Sequence, residues 1–209
     1  MAAGARRGPG TPARVVGLVL AAGAGTRMGR PKALVRDGDD RPWIDRAVAA
    51  LLDGGCPDVV VVLGAAADEA RPLVPDLPSV SVVEAPAWGR GLGASLAAGL
   101  AALDGTTPDE DTPDAALVTL VDLPGLPSAA VRRVLGPEPS RPDTLRRAVF
   151  GGRPGHPVLI GRGHWAAIRD GLDGDQGAGE YLRTHGATAV ECGDLWDGAD
   201  QDRPAQTGR

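Results

Sequence analysis

Val15-Val16-Gly17-Leu18-Val19-Leu20-Ala21-Ala22-Gly23-Ala24-Gly25-Thr26-Arg27-Met28-Gly29-Arg30-Pro31-Lys32 is the stretch that decides the fold. Its first half is an apolar run of the kind found in strands buried on both faces. Its second half breaks into a loop holding Gly23, Gly25 and Gly29. Glycines let backbone N–H groups approach an anion closely, with no side chain in the way. Arg27 and Lys32 add positive charge to the same loop. The stretch therefore reads as a strand followed by a phosphate-holding turn.

Three other readings fit less well. A secretory leader would start from Arg6-Arg7 and be cleaved near Ala21-Ala22-Gly23-Ala24, but Gly17 interrupts its apolar run. A dinucleotide-binding turn needs G-x-G-x-x-G. Here the third glycine comes one residue late, and the second strand ends Val62-Leu63-Gly64-Ala65 without the acid that motif requires. A phosphate loop of the Gly-Lys-Ser/Thr type is absent from the sequence.

Working outward, apolar runs alternate with helical patterns. Strands are expected at 14–20, 58–64, 80–83, 115–121 and 188–191. A glycine-turned hairpin is expected over 149–160. Helices are expected at 43–52, 92–103, 128–135, 164–169 and 177–185. Such alternation predicts a mainly parallel sheet covered on both faces. Ligands of such sheets bind beyond the carboxyl ends of the strands. The expected division is an N-terminal arm at 1–13, one domain at 14–204 and a flexible tail at 205–209. Residues 105–114 read as an acidic, solvated loop.

Composition narrows the function. The net charge of −5 argues against a nucleic-acid partner, and 3% aromatic residues leave little for base stacking along a strand. No apolar run approaches the length of a membrane span. Two cysteines, Cys56 and Cys192, make neither a disulfide framework nor a metal cluster, which suits a reducing cytoplasm. Of 22 Lys plus Arg residues only Lys32 is a lysine. A compact ammonium beside the glycine loop is not equivalent to a guanidinium.

Residues Leu20 to Lys32 match L-A-A-G-x-G-x-R-M-G-x-P-K at every fixed position. In this the chain resembles the MobA-like nucleotidyltransferases, which transfer a nucleoside monophosphate from a nucleoside triphosphate. The resemblance runs from about Val15 to Pro204. It implies an α/β, Rossmann-like three-layer nucleotidyltransferase fold with a mainly parallel (mixed) sheet. It also implies Mg²⁺ as cofactor. Leu20, Ala21, Ala22, Gly23 and Gly25 would bind the nucleotide, and Arg27 and Lys32 would bind it and stabilise charge in the reaction.

Further segments extend the resemblance. Trp88-Gly89-Arg90-Gly91-Leu92-Gly93-Ala94-Ser95-Leu96 is similar to the family's W-x-x-G-M/L-x-x-S-L, which lines the nucleotide pocket and brings in Gly93 and Ser95. Relatives often carry asparagine before the proline of this segment, where Ala85 stands here. Val121-Asp122-Leu123-Pro124 resembles the V-D-x-P metal site, with Asp122 as a ligand at a strand's carboxyl end. Asp200-Gln201-Asp202-Arg203-Pro204 resembles D-I-D-T-P, with Arg203 in place of threonine, and makes Asp202 the second metal ligand. Read by itself, the same stretch is an acidic tail crowded by Asp194, Asp197 and Asp200.

Gly155-His156-Pro157-Val158 and Gly174-Asp175-Gln176-Gly177-Ala178 resemble the branch that makes molybdenum cofactor cytidylyltransferases. There His156 belongs to the half receiving the second substrate. Ala22 replaces the glycine of guanylyl-transferring relatives, so CTP is favoured over GTP. The expected acceptor is a phosphate-bearing small molecule, the pterin phosphate of molybdenum cofactor. Two alternatives stand beside it: a nucleotidyltransferase for a sugar phosphate or phospholactate-type acceptor, and a nucleotide-binding protein without catalysis.

Overall fold

The computed structural model describes residues 13–104, 112–172 and 177–201. The expected arm (apart from residue 13), the tail and Asp202 lie outside the described residues, as do 105–111 and 173–176.

Seven strands form one sheet: β1 Val15–Ala21, β2 Asp58–Leu63, β3 Val80–Glu84, β4 Ala115–Leu120, β5 Leu145–Phe150, β6 Arg153–Gly161 and β7 Thr188–Glu191. Six α-helices accompany them: α1 Trp43–Asp53, α2 Ala67–Ala70, α3 Leu92–Asp104, α4 Ser128–Leu135, α5 Trp165–Gly171 and α6 Gly179–Thr184. The strand order is β3-β2-β1-β4-β6-β5-β7. Strands β1 to β4 are parallel to one another. Strand β6 runs antiparallel between β4 and β5, and β7 returns parallel to β5. The sheet is mixed and mainly parallel, and helices cover both of its faces.

Strand β1 is central, and all seven of its residues are buried. Alternate side chains feed two cores. Val15, Val19 and Ala21 join the core with Ile44, Leu51 and Val131 from α1 and α4. Val16, Leu18 and Leu20 join the one with Leu96, Leu100 and Trp165 from α3 and α5. The glycine that interrupts the run has a packing cause: a Cβ on Gly17 would lie 2.8 Å from Leu51 Cδ1, so α1 rests directly on the strand there.

Most expected elements occur within a residue or two. The hairpin is longer than expected, because β5 begins at Leu145 rather than Val149. Its turn is Gly151-Gly152, both at positive φ, as two-residue hairpin turns require. Helix α2 has four residues and no signal in the apolar pattern.

Candidate active site

Strands β1 and β4 end side by side, with Leu20 paired to Leu120. The chain then leaves β1 into the glycine loop. The Ala22 carbonyl accepts from the Ala65 N–H at 3.0 Å, which ties this loop to the one after β2. Gly25 sits at φ +61°, and a Cβ there would lie 1.9 Å from the Arg30 carbonyl oxygen. The Met28 N–H donates to the Gly25 carbonyl at 2.9 Å. Met28 is buried in the core, whereas Gly23 and Arg27 are exposed. The loop is thus a hook held by one buried side chain, with its glycines turned to solvent.

Pro31 then leads into a single 3-10 turn, Lys32–Leu34. This places Lys32 Nζ 2.5 Å from Asp122 Oδ2, across from the residue pair that ends β4. The other carboxylate oxygen, Asp122 Oδ1, is buried and has no hydrogen-bond partner among the described residues. A buried carboxylate oxygen without a donor is costly. A cation at that oxygen would satisfy it.

These residues border a cleft of about 600 Å³, ample for a nucleotide. Leu20, Ala21, Ala22, Gly23, Gly25, Arg27, Lys32, Ser95 and Asp122 all line it, brought together from three parts of the chain. Gly93 is buried in the first turn of α3 and does not form part of this wall. His156 also stands outside the wall. Trp88, which opens the pocket-lining segment, and Asp200, which opens the D-x-D-x-P match, also line the cleft, although the residue pattern assigned neither a role of its own. Asp200 is there because the neighbouring Gln201 N–H donates to the Asp122 carbonyl at 2.9 Å, docking the C-terminal segment against the site. Asp202 follows directly and lies outside the described residues.

The donor set suits magnesium or manganese. Such ions take one or two carboxylates and fill their remaining positions with phosphate oxygens and water. Among the described residues no group of three or more His, Cys, Asp or Glu side chains is placed to hold a metal ion. Asp122 supplies one oxygen already oriented and unsatisfied. Cys56 is a free, buried thiol whose pKa burial pushes up to about 12.

His156 lies on β6 at a cis peptide bond to Pro157. Val158 pairs with Val118 of β4. Two residues past that pair, in opposite chain directions, come His156 and Leu120, so the histidine lies toward the carboxyl end of β4. Burial, followed by the nearby Arg147 charge, pushes its pKa down to about 4 although part of the residue stays open to solvent.

Comparison with known proteins places this geometry. The family model of the MobA-like NTP transferase domain matches residues 17–189. The nicotine blue oxidoreductase of Paenarthrobacter nicotinovorans is 36% identical over 202 residues, covering 92% of this chain and 94% of that protein. Rv0371c from Mycobacterium tuberculosis superposes with a TM-score of 0.72 at 25% identity, covering 92% and 95% of the two chains. A structure of that protein in complex with manganese gives a TM-score of 0.63 at 24% identity, with 86% and 87% coverage. The nucleotidyl transferase Mth528 of Methanothermobacter shares the fold, with a TM-score of 0.67 at 22% identity over 91% and 92% of the chains. None of the helices in the described residues is long and apolar enough to cross a membrane. With the family model matching from the third residue of β1 into β7, this chain belongs to the MobA-like NTP transferase family and is a nucleotidyltransferase.

Proposed function

We propose that the chain is a Mg²⁺-dependent cytidylyltransferase that moves CMP from CTP onto a phosphate-bearing small molecule, the pterin phosphate of molybdenum cofactor. The observation that carries the reading is the half-satisfied carboxylate of Asp122, paired with Lys32 at the edge of the glycine loop.

An oxygen of the acceptor's phosphate attacks the α-phosphorus of CTP. A new P–O bond to the acceptor forms as the bond to pyrophosphate breaks, and pyrophosphate leaves. Backbone N–H groups of residues 22–25 hold the triphosphate in place. Arg27 and Lys32 stabilise the charge that shifts toward the leaving group. Asp122, with Asp202 from the D-x-D-x-P match, would hold Mg²⁺, which when bound neutralises phosphate oxygens. Binding both substrates in line supplies most of the remaining rate. Ala22 is buried at the cleft wall, and its methyl group narrows the space beside the base, which favours CTP over GTP. His156 serves the acceptor half. The two buried free cysteines accord with a reducing cytoplasm.

Pyrophosphate release tests this reading, with CTP or GTP offered alongside phosphate-bearing acceptors in Mg²⁺. CTP with the pterin phosphate should give the fastest release. Absence of release with every triphosphate and acceptor would overturn it. A second reading rests on the 36% identity to a protein named as an oxidoreductase. Under it the same cleft would hold a nicotinamide nucleotide by its phosphates. Oxidation of NADH or NADPH by the purified chain with nicotine blue, without pyrophosphate release from CTP, would favour that alternative.

A further inference from the structure

Arg147 of β5 and His156 of β6 are two basic residues on neighbouring strands. Leu145 of β5 and Val158 of β6 both join the core beneath α3 and α5. Arg147 follows Leu145 by two residues on β5, and its Nε reaches the carbonyl of Gly155, next to His156 on β6. Arg147 is also the register partner of Val158, which sets it one strand over and two residues from His156. Arg146, the neighbour in sequence, turns to the opposite face and bonds the Leu135 carbonyl at the end of α4.

The pair lacks acidic company. Among the described residues Arg147 makes one hydrogen bond, from Nε to the Gly155 carbonyl at 3.4 Å, and no ion pair. Its Nη1 and Nη2 groups have no partner there. Its neighbour Arg146 is also without an ion pair but is satisfied by the Leu135 carbonyl, whereas partly buried arginines such as Arg46, Arg162 and Arg169 are paired with carboxylates. Burial lowers the pKa of Arg147 from the usual arginine value. The His156 ring also has no hydrogen-bond partner among the described residues, and burial, followed by the Arg147 charge, disfavours its protonation. Keeping a partly desolvated guanidinium beside an imidazole costs stability unless an anion completes the set. Both residues keep a share of solvent exposure, so an anion can reach them.

We infer that Arg147 and His156 form a binding subsite for a phosphate monoester, which is the anchor for the acceptor rather than for the triphosphate. This rests on the nucleotidyltransferase reading above for its role and on the pair's geometry for its existence. Two free guanidinium N–H groups match the two oxygens of a phosphate in a forked contact. His156 adds a single N–H donor from its neutral ring. Position agrees with the role, since the pair lies across β4 from the glycine loop, toward the end of β4 that carries Asp122.

Calorimetry with inorganic phosphate as the probe tests the subsite. The glycine loop is first filled with a non-cleavable CTP analogue and Mg²⁺, so that phosphate reports a second location. The wild-type chain should bind phosphate there. Arg147→Met should weaken it tenfold or more, Arg147→Lys should fall between, and analogue affinity should change less than twofold in both. Arg147→Gln provides a polar replacement if the methionine variant does not fold. Phosphate binding unchanged in a folded Arg147→Met or Arg147→Gln chain would overturn the subsite, as would no phosphate binding to the filled wild type. If the analogue itself does not bind, the cytidylyltransferase reading fails. The difference in phosphate affinity between wild type and Arg147→Met, measured without analogue, then still decides the subsite.

Discussion

Lys32 Nζ meets Asp122 Oδ2 at 2.5 Å although 90 residues separate them in sequence. The contact bridges the loop after β1 and the end of β4. It brings the chain's single lysine onto the carboxylate best placed to take a metal. Replacing this ammonium with a guanidinium keeps net charge but moves it, because the fork is longer and planar. Lys32→Arg should therefore lower turnover about tenfold, equivalent to ~1.4 kcal/mol in barrier height. CTP affinity should change less. Single-turnover kinetics on the variant checks this, and a wild-type rate would remove Lys32 from the reaction.

Asp122→Asn retains the shape of the side chain and removes the charge. Pyrophosphate release should fall about a hundredfold or more, ~2.7 kcal/mol by the same relation. The thermal shift that Mg²⁺ or Mn²⁺ gives the wild type should disappear, while circular dichroism stays native. A variant that still gains stability from the ion would locate the metal elsewhere.

Gly25→Ala addresses the hook directly. The added methyl would stand 1.9 Å from the Arg30 carbonyl oxygen, on a backbone at φ +61°. The loop must open to admit it, and its N–H groups lose their common aim. CTP affinity should drop at least tenfold in a titration, with little change in melting temperature because the loop lies outside the sheet. Equal affinity would mean that the triphosphate is held by side chains alone.

His156 predicts a pH effect with a definite sign. Its folded pKa of about 4 is below the ordinary value of 6.5. Between those values the unfolded chain binds more protons than the folded one, so stability rises with pH across this window. Acidification from about pH 6.5 to 4 should therefore cost stability through this residue. His156→Gln should show a shallower loss over that range in urea titrations. The histidine is neutral from pH 6 to 8, so its own titration should leave no inflection in the rate there. An NMR titration of the ring with a midpoint near 6.5 would refute the assignment.

The sequence disclosed those parts of the molecule whose physics is local. Valine runs such as Val59 to Val62 are buried without interruption, and the Gly25 turn is imposed by its own backbone. It concealed parts that depend on distant partners. Leu145-Arg146-Arg147 does not look like a strand because two charges stand together. The structure sends one side chain to the α4 carbonyl end and leaves the other on the opposite face. Asp200 read as one acid in a crowded tail, since the contact that docks it is a backbone hydrogen bond from Gln201 to Asp122, and a backbone bond leaves no signature in residue type. Gly93 looked like a wall residue by motif, but the first turn of α3 buries it.

The strand order β3-β2-β1-β4-β6-β5-β7 has a consequence for descent. Among the described residues, the β4–β6 ladder is what joins strands β1 to β4 to strands β5 to β7. The glycine hook and Asp122 belong to the first group, and Arg147 and His156 belong to the second. On the proposed reading, selection can therefore rework β5 to β7, trading one recipient molecule for another, while the segment after β7 keeps its docking on Asp122. A single ancestral donor-handling half could in this way give rise to enzymes with many different recipients, each lineage altering the side of the sheet beyond β4.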